Sequence, residues 1–215
     1  MVALFSADSA LMRGLTVIAD IMILNFLFLA TSIPIVTLGA SLTALNFTAM
    51  RISTGECGSV SADYFRSFRR NFRQATVIGL ILAGLGTVLA AWYVVVTTFE
   101  LSAVAKVALL AIWYVLAFNL AIMALFVFPY HANFEGSTRQ VFRNARLMSW
   151  RHPLTSFVSL AVIALAVAVT LFYPQATGYG MLWLLIGFAG IATVNGRLFA
   201  LVFAKYIAAQ KIHLT

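Results

Sequence analysis

The sequence predicts an all-α polytopic membrane protein, a bundle of five to six transmembrane helices with two cytoplasmic amphipathic helices. Three observations carry that prediction. Of 215 residues, 63% are hydrophobic and only 9% are charged, with mean hydropathy +1.00, whereas soluble domains carry about 25% charged residues. Several apolar runs approach the roughly 20 residues that a membrane-crossing helix needs. The arginines gather between those runs rather than inside them. A chain this short cannot hide so much apolar surface in a globule, so lipid is the expected solvent and one compact domain, 1–215, the expected unit.

The first span is expected over about 15–36. The start of the chain, MVALFSADSALMRG, has no lysine-rich opening and no small-residue cleavage site, so this run is read as retained rather than as a signal peptide. A helical pattern follows over 39–53, but at 1.5 Å per residue it reaches only about 22 Å, short of the hydrocarbon core. Between the two lies PIVTLG. Pro34 removes a backbone donor and pushes its predecessor out of helical geometry. Gly39 permits a tight turn, and Thr37 or Ser41 can cap the new helix. A break at membrane depth is tolerated only when buried in protein or lining a watery cavity, so this break is either a structural corner or the lip of a site.

Four further spans are expected over about 75–98, 106–128, 153–172 and 180–204. Two basic segments separate them. Over 61–74, Phe65, Phe68, Phe72 and Ala75 fall on one helical face, with Arg66, Arg69, Arg70 and Arg73 on the other. Asp63 suits the first turn, where the helix dipole favours a negative charge. Over 137–151, Arg139, Arg143, Arg146 and Trp150 share a face, and Val141, Ala145 and Met148 another. Both segments read as helices lying on the membrane surface, and Pro153 opens the next span at a position proline tolerates. Because Lys and Arg collect in cytoplasmic loops, these segments and the C-terminus, with Lys205 and Lys211, are expected inside the cell. The weakly charged connections TTFELSAVAK and YPQATGY are expected outside. If 39–53 crosses the membrane, the N-terminus is inside, as Arg13 favours; if it does not, the N-terminus is outside.

The net charge of +8 fits attraction to anionic lipid head groups better than nucleic acid, because the basic groups are pinned beside apolar spans. The single Cys57 excludes an internal disulfide and a thiolate metal cluster. His131, His152 and His213 are scattered near the inner boundary. No H-E-x-x-H, P-loop or G-x-S-x-G motif occurs, so no cofactor, metal or catalytic group is expected.

Polar residues inside spans are costly and often functional. Asp20 and Arg197 fall at similar depth if the N-terminus is inside, and pairing is the electrostatic minimum for two such charges. Asn25, Asn46, Asn119 and Asn195 also lie in apolar runs, where amides act as interhelical glue or line a pocket. Gly79, Gly84, Gly86, Gly187 and Gly190 mark expected close helix contacts by the same logic.

The segments IADIMILNFLFLATSIPIVTLGASLTAL, DYFRSFRRNFRQAT and ANFEGSTRQVFRNARLMSWRHPLTS together resemble the YesL-like family of bacterial integral membrane proteins, a family of unknown function. The resemblance runs from about Phe5 to the last span. It is carried best by Asp20, Asn25, Pro34, Thr37, Gly39, Ala44, Phe65, Phe68, Asn71, Phe72, Asn144 and Ala145. It implies a multi-pass protein of the bacterial inner membrane, found in the company of sugar-uptake ABC transporters. Two functions then compete: a non-enzymatic accessory of a carbohydrate uptake system that contacts an ABC-type sugar permease, or a small-solute carrier or channel with its site around Asp20, the asparagines and the Pro34–Gly39 break.

Overall fold

A computed structural model describes residues 10–178 and 180–212; expectations for residues 1–9 and for His213 lie outside that range. Among the described residues seven α-helices follow one another: α1 Ala10–Ser32, α2 Leu38–Thr54, α3 Val60–Thr98, α4 Ala103–Asn133, α5 Thr138–Arg151, α6 Pro153–Phe172 and α7 Phe188–Ile212. A 3-10 turn, Ile35–Thr37, precedes α2, and a π-helical turn, Trp183–Gly187, precedes α7. Among the described residues there is no strand. Six helical stretches of the described residues are long and apolar enough to cross a membrane: Leu11–Ser32, Ile35–Thr54, Val60–Thr98, Ala103–Asn133, Pro153–Phe172 and Trp183–Ile207. Their outer faces expose Val88, Val104, Leu154, Leu165 and Leu171, each more than 60% accessible. An apolar surface of that extent belongs against lipid, and the chain is consistent with a multi-pass membrane protein.

The short helix is the centre of the bundle. α2 packs against α1, α3, α4 and α7, and Gly39, Ala40, Ser41, Thr43, Ala44, Thr48 and Ala49 are all buried. Its 17 residues span about 26 Å, and the 3-10 turn extends it toward full crossing length. Small side chains let neighbouring backbones come close. A Cβ added to Gly39 would lie 2.1 Å from the Ala75 carbonyl oxygen and 3.1 Å from the Gly79 Cα. On another side of α2, a Cβ on Gly196 of α7 would meet the backbone of Met50 at 3.1 Å. Gly39 and Gly196 therefore join Gly79 as contact glycines. Gly187 packs beneath the Trp183 ring, whereas Gly84, Gly86 and Gly190 have open space where a side chain would go, contrary to expectation.

The PIVTLG segment is a corner. α1 ends at Ser32, ahead of Pro34, and not at residue 36. Thr37 does not cap α2: its hydroxyl donates to the carbonyls of Thr31 (2.5 Å) and Pro34 (2.7 Å), closing the turn on itself. Ile33 and Ile35 point outward, at least 80% exposed. Thr31 further bonds Ser41 at 3.0 Å and the Tyr64 hydroxyl at 2.5 Å, joining α1, α2 and α3. α2 stops at Gly55, whose φ of +75° supplies the left-handed residue of a helix C-terminus, with the Glu56 N–H donating to the Arg51 carbonyl at 2.9 Å.

Two boundaries differ more substantially from expectation. Residues 61–74 are not a separate surface helix: they continue without interruption into the next span, forming one 39-residue helix about 58 Å long. Nothing between Val60 and Ile78 breaks the backbone ladder, so the helix extends far beyond the roughly 30 Å hydrocarbon core. Likewise, α4 runs through Pro129 to Asn133 rather than stopping at 128. Tyr130, His131 and Ala132 are buried there, and tertiary packing outweighs the bond lost at the proline.

Gly39→Ala is expected to lower bundle stability by about 1–3 kcal/mol through overpacking, while Gly84→Ala is neutral or slightly stabilising. Thermal unfolding of the detergent-solubilised variants measures both; equal midpoints for the two would contradict the close α2–α3 crossing.

Candidate functional site

At the end where α2 stops and α3 begins, charged side chains converge. Asp63, 3% exposed, is the one carboxylate enclosed by the fold among the described residues. It accepts from Arg51 Nε at 2.8 Å and pairs with Arg66. Arg51 also donates to the Glu56 carbonyl at 2.5 Å. The guanidinium carbons of Arg51 and Arg70 lie 5.9 and 5.7 Å from the Phe47 ring centroid, within cation–π range. Sequence reading placed Asp63 only as a helix-dipole residue. Its partner sits 12 residues upstream across the Gly55 turn, and that turn is the signal that brings the two together.

The buried phase of the α3 extension is neither the Phe65, Phe68 and Phe72 face nor the arginine face. Its buried stripe is Val60, Asp63, Tyr64, Ser67, Asn71, Ala75 and Ile78. Phe65 and Phe72 are exposed, and Phe68 is half-buried. Phe68 packs against the buried cluster that holds Tyr64, while Phe65 and Phe72 lie outside the buried stripe. Arg66, Arg69, Arg70 and Arg73 are exposed; Arg70 donates to the Ala132 carbonyl at 3.0 Å and Gln74 to the Gly136 carbonyl at 2.8 Å, seating α3 on the α4–α5 corner. In α5, which opens with a Ser137–Gln140 capping box, Val141, Ala145 and Met148 are buried. Arg139, Arg143, Arg146 and Trp150 are exposed. Asn144 donates to the Tyr130 hydroxyl at 2.8 Å.

The expected Asp20–Arg197 pair is absent. Arg197 is exposed and donates instead to the Ser53 carbonyl at 2.6 Å. That oxygen is among the last carbonyls of α2, which have no intrahelical donor and carry the negative end of the helix dipole, so the guanidinium is satisfied there. Asp20 is half-buried and forms no ion pair among the described residues. Its charge is felt at Cys57, whose thiol is pushed above the ordinary range first by burial and then by Asp20, with Arg51 opposing.

The four asparagines do not gather. Asn25 is fully buried and braces the π-helical turn: its amide donates to the carbonyls of Trp183 (2.9 Å) and Leu184 (2.7 Å), and its oxygen accepts from the Ala189 N–H at 3.0 Å. A π turn displaces the regular i→i−4 pairing, and a single side chain from α1 satisfies the groups left over. Asn119 bonds the Val115 carbonyl of its own helix at 2.9 Å. Asn46 and Asn195 share the wall of a cavity of about 460 Å³ bounded by α2, α4, α6, the π turn and α7. A solute site combining Asp20, the four asparagines and the Pro34–Gly39 corner is therefore not assembled.

His152, expected as a boundary residue, lies between α5 and α6 and bonds the Tyr206 hydroxyl at 2.9 Å. Burial, then Lys205 and Arg151, lowers its pKa below the ordinary histidine value. Among the described residues no group of three or more His, Cys, Asp or Glu side chains could hold a metal ion.

These features define a helical bundle of membrane-spanning type with one basic end, a braced π turn and an internal apolar cavity. The family model described as "Protein of unknown function, DUF624" matches residues 21–93, from α1 at Ile21 through α2 to Tyr93 of α3. No curated protein and no solved structure matches the chain.

Asn25→Leu strands three buried backbone groups and is expected to cost about 1–3 kcal/mol, whereas Asn119→Leu stays within about 0.5 kcal/mol; thermal denaturation in one detergent compares them. For His152, folding lowers proton affinity, so below about pH 6.5 the unfolded chain binds more protons and stability falls as pH drops. The difference in unfolding midpoint between pH 8 and pH 5.5 is expected to shrink in His152→Gln.

Proposed function

We propose that the chain is a non-enzymatic accessory protein of the bacterial inner membrane, a YesL-like protein that serves a carbohydrate uptake system by contacting its ABC-type permease. The observation that carries this reading is the cluster of exposed guanidinium groups on two helices at one end of the bundle: Arg69 and Arg73 on α3, and Arg139, Arg143 and Arg146 on α5. Lys and Arg at bilayer boundaries mark the cytoplasmic side, so this end, with both termini, faces the cytosol. A row of exposed arginines complements an acidic protein surface and sets association rate and orientation; anionic head groups hold the same face at the bilayer. The link to sugar uptake comes from the resemblance of the sequence to YesL-like proteins.

The carrier reading loses its proposed site around Asp20. The cavity that remains offers two amides in apolar walls, too few polar groups for a sugar, whose many hydroxyls would be buried unpaired.

The test combines deletion with charge reversal. Loss of the gene is expected to reduce oligosaccharide uptake severalfold. Replacing Arg139, Arg143 and Arg146 by Glu is expected to remove the permease from material purified in mild detergent, as read by mass spectrometry, with the protein still inserted. Unchanged uptake together with the absence of a co-purifying permease in the wild type refutes the proposal.

A further inference from the structure

The cavity between α2, α4, α6 and α7 has chemistry that the docking reading leaves unused. Its volume, about 460 Å³, falls within the roughly 300–1,000 Å³ of small-molecule sites. Its walls are apolar except for Asn46 and Asn195. The hydrogen bonds of these two amides fix which way each points. Asn46 gives its Nδ2 to the Leu42 carbonyl at 2.8 Å, and Asn195 gives its Nδ2 to the Ser159 carbonyl at 3.5 Å. A carbonyl accepts only, so the atom facing it is the nitrogen in both cases, and each side-chain oxygen is left over. Asn195 is 4% exposed, and its oxygen has no partner. A buried acceptor without a donor costs about 1–3 kcal/mol.

A third acceptor borders the same space. Pro129 lies inside α4 and lines the cavity together with Leu125. Lacking an N–H, Pro129 leaves the Leu125 carbonyl without its usual donor four residues on. Trp183 and Phe188, at either end of the braced π turn, form another wall, and π turns recur at functional sites. α6 contributes Ile163 and Val167 to the wall and packs chiefly against α4, α5 and α7, with Leu165 and Leu171 exposed on its outer face. No charged side chain lines the cavity, so an ion would be buried without a partner.

The geometry points to a binding site for a neutral amphiphile, an apolar chain ending in a hydroxyl, whose hydroxyl donates to the Asn195 side-chain oxygen while the chain fills the apolar walls. The site stands whether or not the arginine face docks a permease.

The experiment uses the full chain in lipid nanodiscs, with Trp92, Trp113 and Trp150 replaced by Phe so that Trp183 alone reports. A bromine-labelled long-chain alcohol is titrated against Trp183 fluorescence, with the matching bromoalkane, which lacks the donor, as comparison. The alcohol is expected to quench saturably, and the alkane only in proportion to its bilayer concentration. Asn195→Leu is expected to weaken alcohol binding about tenfold, the loss of one hydrogen bond to a buried acceptor. Ala192→Phe, which fills the cavity, is expected to abolish saturable quenching. Should Asn195→Leu fail to fold, Ala192→Phe and the alcohol–alkane comparison in the wild type carry the test. Equal quenching by alcohol and alkane, or no saturable component in the folded wild type, overturns the assignment.

Discussion

The fold depends on how closely three backbones approach one another at α2. Between helices in lipid there is no net hydrophobic attraction, because acyl chains are as apolar as leucine, and cohesion comes from close packing and hydrogen bonds. Gly39 against Gly79 on one side, and Gly196 against Ala49 and Met50 on another, allow that packing. α2 is therefore buried along most of its length, an unusual place for a helix too short to cross a bilayer unaided. Its neighbours supply the lipid-facing surface, and it supplies the surface they share.

The second constraint is that no backbone polar group at membrane depth can be left to water. At three interruptions of the helical ladder a side chain completes the bonding. Asn25 serves the π turn, Thr37 closes the corner after α1, and Arg197 reaches the end of α2. The tight corner and the braced turn have the same logic: irregular backbone is stable because it is fully bonded within the protein. The cavity is the exception, with the Leu125 carbonyl and the Asn195 side-chain oxygen left without a donor.

Spans were legible because the bilayer sets a length and a hydropathy that composition alone reveals, and PIVTLG announced a break through Pro34. The rest depended on three-dimensional phase. The aromatic stripe of 61–74 reads as the membrane-facing side of a surface helix, but the pattern does not reveal that another phase, with Asp63, Tyr64, Ser67 and Asn71, is the buried one. Periodicity gives a stripe without saying what it faces. Asp20 and Arg197 were matched by depth, yet depth ignores rotation about the helix axis and the attraction of a helix C-terminus for a cation. The asparagines were visible as costly residues, but which of them meet is set by helix order in the bundle, and the π turn that Asn25 serves has no sequence signature comparable to proline's.

α3 has one property that its extent alone dictates. A single uninterrupted hydrogen-bonded rod, it carries the exposed arginines on the same stretch that packs along α2, from the Asp63–Arg51 pair to the Gly39–Gly79 approach. Whatever docks on those arginines therefore bears directly on the most deeply buried helix, with no joint in between.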